Sequence, residues 1–409
     1  DQNINNLEVT DIENNISEEI SDEESNSEII NENVEINEYN IFKNADVNNL
    51  KLYFNNIENI NSRPLYNEFI KILTGNNFNE ANIENKELIF LFVKKLVELG
   101  EIQKAYNFIK SIQLTEDENI VFHKTLELNY LFSTYQLKDA CELKNEFNTQ
   151  QIKLQDYYLE KADIFCLIME EKINEANLLN SILIETSGND DQYFQNLLNI
   201  LLNPPKEEDN IVKNLPNDFS ENLIFLYSAM LRIAELPLSE KFLDIDPNNL
   251  SIPIILSNDS EISLRLKAAN RAFINNLIGI ESLAALYQSV DFNSVELNDP
   301  IQTIEKLGDN RELIMAFYYQ LANVQIFPSS RLNVIFDYWK FAASIGLEKI
   351  AYNLTYNIIS TLEPSSKNAD LGHLIATALI YNEDYDKASK WLIFAETVKS
   401  SDQEIEKVK

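Results

Sequence analysis

The stretch KELIFLFVKKLVELGEIQKAYNFIKSI, residues 86–112, holds the pattern that decides the fold. Leu88, Leu91 and Phe92 stand at the three- and four-residue spacing of one face of an α-helix. Gly100 then occupies a place where helices commonly end, because glycine readily adopts the left-handed backbone of a C-terminal cap. A second apolar-periodic stretch follows at once, so the segment predicts two helices joined by a tight turn.

The same pair of helical stretches recurs along the chain. Each clear copy has an alanine early in its second stretch, and these are Ala105, Ala140, Ala176, Ala351 and Ala388. The first intervals are 35 and 36 residues, the last is 37, and the 175 residues after Ala176 equal five units of 35. Such spacing is typical of helical hairpins stacked into a solenoid. We expect the alanines to be packing residues that let paired helices approach closely.

An apolar residue seven positions after each alanine lies on the same helix face, and Pro364 closes the fourth copy. The pattern resembles the tetratricopeptide repeat, which implies an all-α superhelix of antiparallel hairpins. The copies depart from that family four positions after the alanine, where Lys144, Asn180 and Thr355 replace a large apolar residue. Residues 264–292 are also similar to an uncharacterised group of helical-repeat proteins from alphaproteobacteria, which implies no activity.

Proline content divides the chain. Six of the ten prolines lie between residues 204 and 253, and proline is disfavoured inside helices. We therefore predict an N-terminal helical array over 46–202, an irregular proline-rich joint or insertion over 203–258, and a C-terminal array over 259–400. The stretch SIPIILSN, residues 251–258, is predicted to be extended by its proline and β-branched residues.

Both termini are predicted to be charged tails. Residues 1–40 contain 13 Asp or Glu and no Lys or Arg, which favours an acidic disordered tail over residues 1–45. Ile12, Ile16 and Ile20 follow at four-residue spacing and leave open a short helix formed on a partner. A solvated acidic leader is the simpler interpretation. Residues 401–409 form a second charged tail.

The net charge of −33 bears on the partner. Such a surface repels phosphate backbones and anionic lipids, so we expect no nucleic acid and no membrane insertion. It favours a basic protein partner, cations or simple solubility. No apolar run reaches the roughly 18–20 residues that span a bilayer. The oligomeric state is left open.

The two cysteines and the identity of the first residue indicate whether the protein is exported or cytoplasmic. Cys141 and Cys166 are too few for a disulfide framework, and we interpret them as small buried apolar residues. A single bridge stays open for an oxidising compartment. The chain begins at Asp1 rather than Met, through loss of a leader or through trimming. An exported or periplasmic bacterial protein is favoured over a cytoplasmic one.

Motifs that carry chemistry are missing from the sequence. His123 and His373 have no second ligand at zinc spacing, and no glycine-rich phosphate loop occurs. The stretch DIDPNN, residues 244–249, starts like a calcium loop but has Asn249 and Ile255 where Gly and Glu are required. We predict no catalytic residue, no cofactor and no metal.

Two features are candidates for partner binding. Arg265, Lys267 and Arg271 form a basic cluster, and our hypothesis is that it docks an acidic segment of a partner or of the chain's own tail. Ordinary helix-surface charge balanced by Glu261 is the alternative. Trp391 lies in the last copy, so it either packs against a cap formed by residues 396–409 or is an exposed contact point.

Two functions follow from this pattern. The first is a non-enzymatic interaction scaffold whose concave surface binds a peptide or a partner helix, with aromatic anchors from residues 317–320 and 336–339. The second is an enzyme, or the helical accessory domain of one, that acts on polysaccharide or cell wall. It requires a pocket where two carboxylates converge and one has a raised pKa. A structural subunit of a larger assembly is a weaker third possibility.

Overall fold

The computed structural model describes residues 46–57, 60, 62–74, 86–112, 119–150, 153–187, 191–203, 219–365 and 368–398. Every regular element in these ranges is helical and none is a strand, which confirms the all-α prediction. The predictions for the tails at 1–45 and 401–409 lie outside these ranges. No helix within them is both long enough and apolar enough to cross a membrane.

The described ranges contain 22 α-helices. In chain order they are α1 (Val47–Asn55), α2 (Arg63–Thr74), α3 (Lys86–Glu98), α4 (Ile102–Ile112), α5 (Ile120–Ser133), α6 (Leu137–Gln150), α7 (Tyr158–Met169), α8 (Ile173–Ser187), α9 (Gln192–Leu202), α10 (Ile224–Ile233), α11 (Glu240–Ile245), α12 (Ser251–Leu256), α13 (Ile262–Ile274), α14 (Ile280–Gln288), α15 (Ser294–Asn298), α16 (Pro300–Leu307), α17 (Arg311–Val324), α18 (Pro328–Ser344), α19 (Glu348–Leu354), α20 (Tyr356–Ile359), α21 (Gly372–Tyr381) and α22 (Tyr385–Val398).

The described residues fall into two compact units, residues 46–277 and residues 278–398. The chain therefore divides between residues 277 and 278. The described part of the predicted proline-rich joint, residues 219–258, packs within the first unit. Asn248 and Asn249 donate their side-chain amides to the carbonyl oxygens of Glu98 and Val97, at 2.7 and 3.0 Å.

Seven helices end in the same chain reversal. In each, the residue after the last turn has a positive φ, and the following residue donates its N–H to the carbonyl oxygen five positions earlier. Glu101 donates in this way to Leu96 at 2.9 Å, and Asp384 to Leu379 at 2.9 Å. This is the Schellman motif, which satisfies carbonyls at a helix end. The left-handed residues are Gly100, Tyr135, Glu171, Glu235, Asn276, Gly346 and Glu383.

The alanines of the sequence pattern take fixed places after these turns. Each follows a left-handed residue by five positions, as Ala105 follows Gly100, and all five alanines are buried. A side chain at Gly100 is excluded by space as well as by φ, because its Cβ would lie 2.9 Å from the Cβ of Asn248. Turn and buried alanine therefore recur together in the five copies that the sequence pattern identified.

In the first unit, the first helices of successive hairpins pack against each other. The rings of Phe90 on α3 and Phe122 on α5 lie 5.0 Å apart, and those of Phe132 on α5 and Phe165 on α7 lie 6.1 Å apart. Helix α10 also packs on α5, although about 100 residues separate them along the chain. Eight of the ten residues of α10 are buried, so it is a central helix.

The stretch at 251–258 is helical, so the prediction of an extended segment is wrong. Residues Ser251–Leu256 form α12, in which Pro253 is the third residue. Proline is tolerated in a first helical turn, where its missing N–H breaks no intrahelical hydrogen bond. Ile254 and Ile255 are buried in this helix, which explains their apolar character without a strand.

In the second unit, side-chain hydrogen bonds fix the helix ends. The buried amide of Gln320 on α17 donates to the carbonyl oxygens of Tyr287 and Val290 at the end of α14, at 2.9 and 2.7 Å. The indole N–H of Trp339 on α18 donates to the hydroxyl oxygen of Thr355 at 3.0 Å. The Gln320 amide thus satisfies carbonyl oxygens that the end of α14 leaves unpaired, and the Trp339 indole satisfies a buried hydroxyl.

Candidate functional site

The predicted basic cluster is engaged within the first unit. Arg265 is buried, and its Nε donates to the carbonyl oxygen of Ile255 at 2.8 Å. Lys267 forms an ion pair with Glu240, and Arg271 donates to the carbonyl oxygen of Leu243 at 3.3 Å. The cluster thus joins α13 to α11 and α12, with Lys267 paired to a carboxylate and both arginines bound to backbone carbonyl oxygens.

Trp391 is buried, with 1% of its surface exposed, so the prediction of an exposed contact point is wrong. The reason is close packing of α21 on α22. A Cβ built on Gly372 would lie 2.9 Å from the Cβ of Ala395 and 3.7 Å from Cε3 of Trp391. The first helix of the same hairpin therefore lies against the indole. Of the alternative cap at residues 396–409, residues 399–409 lie outside the described ranges.

The histidines and cysteines are parts of the packing. His123 is buried against the rings of Phe90 and Phe122, at 6.4 and 5.8 Å between centroids. Cys141 and Cys166 form a disulfide between α6 and α7, with Cα atoms 5.7 Å apart, so they are bridged rather than free apolar residues. Within the described ranges, no group of three or more His, Cys, Asp or Glu is arranged to hold a metal.

A polar cluster of the first unit centres on Asp191, and we call it the Asp191 network. One Asp191 oxygen, Oδ2, lies 2.5 Å from Nζ of the buried Lys161 and also accepts the hydroxyl of Tyr227. The other, Oδ1, accepts the N–H of Phe194 at 2.9 Å and caps α9. A single carboxylate therefore joins α7, α9 and α10.

A strained turn borders this network. Asp156 and Tyr157 both have φ of 55°, although neither is glycine. The Asp156 carboxylate accepts from the hydroxyl of Ser220 at 2.5 Å and from the amide of Asn222 at 2.7 Å. A left-handed non-glycine residue costs on the order of 1–3 kcal/mol, and these hydrogen bonds hold the turn in that conformation.

Local hydrogen bonds and burial shift the pKa of one group in this network, Tyr227, and of one group beside it, Asp156. Hydrogen bonds from Ser220 and Asn222 lower the pKa of Asp156. Burial, and then the Asp191 carboxylate that accepts its hydrogen bond, raise the pKa of Tyr227. At neutral pH the Asp156 carboxylate is charged and the Tyr227 phenol is a donor. The arrangement suits a fixed ion network better than proton transfer.

The enzyme hypothesis requires converging carboxylates. Burial raises the pKa of Asp246, while hydrogen bonds from Asn249 and Asn248 oppose that rise. The groups that act on this carboxyl are thus asparagines rather than a second carboxylate. Asp156 belongs to another cluster, and its pKa is shifted downwards.

The aromatic runs offered as groove anchors are mostly core. Phe317, Phe336, Tyr338 and Trp339 are buried, while Tyr318 and Tyr319 are half-buried. Exposed apolar side chains occur elsewhere. Ile326 and Phe327 are 84% and 70% exposed in the loop between α17 and α18.

A second exposed apolar group lies on α8. Leu178 and Ile182 are 63% and 47% exposed. The sequence interpretation missed them because their spacing also fits a buried helix face. One signal was available, since Asn180 occupies the position where the repeat family has a large apolar residue. Its amide exchanges hydrogen bonds with Gln195 on α9, at 2.9 and 2.8 Å.

Comparisons with known proteins give two distant similarities. A CRISPR-associated protein of Methanocaldococcus jannaschii is 27% identical over 169 residues, which are 40% of this chain and 23% of that protein. An uncharacterised protein of the same archaeon is 26% identical over 260 residues, which are 63% of this chain and 45% of that protein. The chain spans less than half the length of these curated relatives, and they do not assign it to a family.

No family model and no solved structure matches the chain. The resemblances to tetratricopeptide repeats and to the alphaproteobacterial group therefore stay predictions.

Proposed function

We propose that the protein is a non-enzymatic interaction scaffold, built from tetratricopeptide-like hairpins stacked into an α-solenoid, that binds a peptide or a helix of another protein. The observation that carries this proposal is the recurrent Schellman turn with a buried alanine five residues later. Stacked helical hairpins present extended surfaces, which commonly bind peptides and helices.

The chemistry of the polar groups supports binding over catalysis. The groups with the clearest partners, Asp156, Asp191 and Tyr227, are used to join helices. Large pKa shifts mark functional sites only when the shifted groups are poised for a reaction, and structural ion networks produce them as well.

The net charge supports a basic protein partner, and the disulfide supports an oxidising compartment. A chain with net charge −33 favours a basic protein and disfavours nucleic acid. The Cys141–Cys166 disulfide supports an oxidising compartment, as expected for an exported protein.

The loop between α17 and α18 offers a rigid apolar anchor for such a partner. Arg331 donates Nε to the carbonyl oxygen of Gln325 at 2.8 Å, and Pro328 begins α18 directly after Phe327. Ile326 and Phe327 are therefore held outward by a fixed backbone. Preordered apolar side chains bind with a small loss of conformational entropy.

Affinity capture tests the scaffold function. The 409-residue chain is immobilised, exposed to an extract of its source organism, and washed at moderate salt. We expect one protein to be retained and to be displaced by free chain. The variant Ile326→Ser with Phe327→Ser is expected to retain less of it, whereas Leu65→Ser, a similarly exposed leucine of α2, is the matched control. Retention of the same proteins on an unrelated protein of equal charge contradicts a specific scaffold.

A further inference from the structure

Helix α8 has one face that the rest of the described chain leaves open. Glu175, Leu178, Ile182 and Glu185 follow at three- and four-residue spacing and therefore share one face. All four side chains are exposed, and we call this set the α8 face. Among the described side chains of α8, only Ala176 and Leu183 are buried.

The buried residues lie on the opposite side of the helix. Ala176 and Leu183 are seven positions apart, on the side that packs against α7. At 100° per residue, that side is roughly 130° around the helix axis from the α8 face. The open face is thus directed away from the core.

The α8 face has an apolar centre and charged ends. Leu178 and Ile182 stand one turn apart, and Glu175 and Glu185 stand one turn beyond each of them. The sequence of α8, INEANLLNSILIETS, contains two carboxylates and no Lys or Arg. The neighbouring hydroxyls of Ser181 and Thr186 donate to carbonyl oxygens of α8 itself, at 2.9 Å.

We propose that the α8 face binds a basic amphipathic helix of a partner protein. Apolar side chains of that helix, spaced by three or four residues, cover Leu178 and Ile182. Lys or Arg residues one turn beyond them pair with Glu175 and Glu185. The proposal rests on the proposed scaffold function and names one of its binding surfaces and the chemistry of the partner.

Charge decides between this occupant and its competitors. A second copy would oppose Glu175 and Glu185 with its own glutamates and add two chains of charge −33. An anionic membrane would meet the same repulsion. A basic helix is attracted by the glutamates that flank Leu178 and Ile182 on both sides, so charge complementarity favours a basic helix as the occupant.

The probe is a fluorescein-labelled synthetic helix of about 18 residues, which is long enough to cover α8. It carries leucines at helical spacing and lysines one turn beyond them. A counterpart has glutamates in place of the lysines. Anisotropy titrations with the full-length chain are run at about 0.05 M and about 0.5 M salt, because screening weakens exposed charge pairs.

The expected result has three parts. The lysine peptide binds the wild-type chain, more tightly at low salt. Leu178→Ser with Ile182→Ser weakens binding about 30-fold, the effect of losing anchor residues. Glu175→Gln with Glu185→Gln weakens it about fivefold at low salt and flattens the salt dependence.

Matched variants guard against a folding defect. Leu52→Ser changes a leucine of α1 with the same 63% exposure and leaves binding unchanged. Glu305→Gln neutralises an exposed acid of α16 and is likewise expected to leave binding unchanged. All variants are expected to melt at the wild-type temperature, because the changed side chains are exposed.

Four outcomes overturn the proposal. The lysine peptide does not bind, or the glutamate peptide binds equally well. The variant Leu178→Ser with Ile182→Ser binds the lysine peptide like the wild type, or the chain self-associates and this variant abolishes the self-association. If the double variant still retains the natural partner in affinity capture, the α8 face is not the site and the scaffold function stands. If the chain retains no protein and no peptide, both proposals fail.

Discussion

Helices α8 and α10 lie in the same unit and are both rich in apolar residues, yet their surroundings are opposite. Eight of ten residues of α10 are buried, whereas Ala176 and Leu183 are the buried ones among the described side chains of α8. The middle of α10 has no charged residue, while α8 carries Asn or Glu on each side except the one that holds Ala176 and Leu183. Apolar content alone does not report burial, but the distribution of polar residues around the helix does.

The largest expected effect concerns the disulfide, which fixes the helix that supports α8. Cys141→Ala with Cys166→Ala opens a link between residues 25 positions apart, and we expect a loss of about 3.5 kcal/mol in the free energy of unfolding. Because α8 packs mainly on α7, its amide protons are expected to exchange faster while α10 stays protected. Equal acceleration in both helices would contradict this view.

Truncating one leucine in each helix tests the comparison directly. Leu226→Ala in α10 removes a fully buried side chain and is expected to cost about 3 kcal/mol. Leu178→Ala in α8 is expected to cost less than about 0.5 kcal/mol, since that side chain is exposed. Urea unfolding measures both, and equal losses would mean that α8 is covered in solution.

Two buried tyrosines test whether the Asp191 network anchors α10. Tyr227→Phe removes a hydrogen bond to a carboxylate and is expected to cost about 1.5 kcal/mol. The control is Tyr338→Phe, because the hydroxyl of Tyr338 has no hydrogen-bond partner among the described residues. We expect that change to be neutral in thermal and urea unfolding. A neutral Tyr227→Phe would remove the anchoring role.

The smallest expected effect is at the turns beside the two helices. Glu171, before α8, and Glu235, after α10, have φ of 60° and 52°. Glycine adopts this conformation without the steric cost of a Cβ, so Glu171→Gly and Glu235→Gly are each expected to stabilise by about 0.5 kcal/mol. Differential scanning calorimetry measures the shift, and a lower melting temperature would show that the glutamate side chains make contacts worth more than the strain.

The sequence predicts the hairpins well because their signal is local. Helical periodicity and the recurrent alanines depend on neighbouring residues, and the turns follow from them. Five of the seven left-handed turn residues are not glycine, so no glycine pattern marks those turns. The Schellman geometry there is held by backbone hydrogen bonds, which any sequence supplies.

The features that the sequence does not predict depend on where a helix begins or on contacts between residues far apart in the chain. The helical state of residues 251–256 is compatible with Pro253 only because the proline falls in the first turn. The glycine at position 372 allows α21 to approach the buried Trp391 closely. The open face of α8 and the intramolecular partners of Arg265 appear only when residues far apart in sequence are brought together.

The packing of α10 on α5 has a consequence for biosynthesis. Helix α5 ends at Ser133 and α10 ends at Ile233, so about 100 residues must be translated before α5 receives its partner. At a translation rate of roughly 5–20 residues per second, the apolar face of α5 stays uncovered by α10 for about 5–20 seconds during synthesis. A chain made only of neighbouring hairpins would have no such delay. During that interval the nascent chain presents a surface that chaperones recognise, and shortening the interval by faster translation is expected to raise the soluble yield.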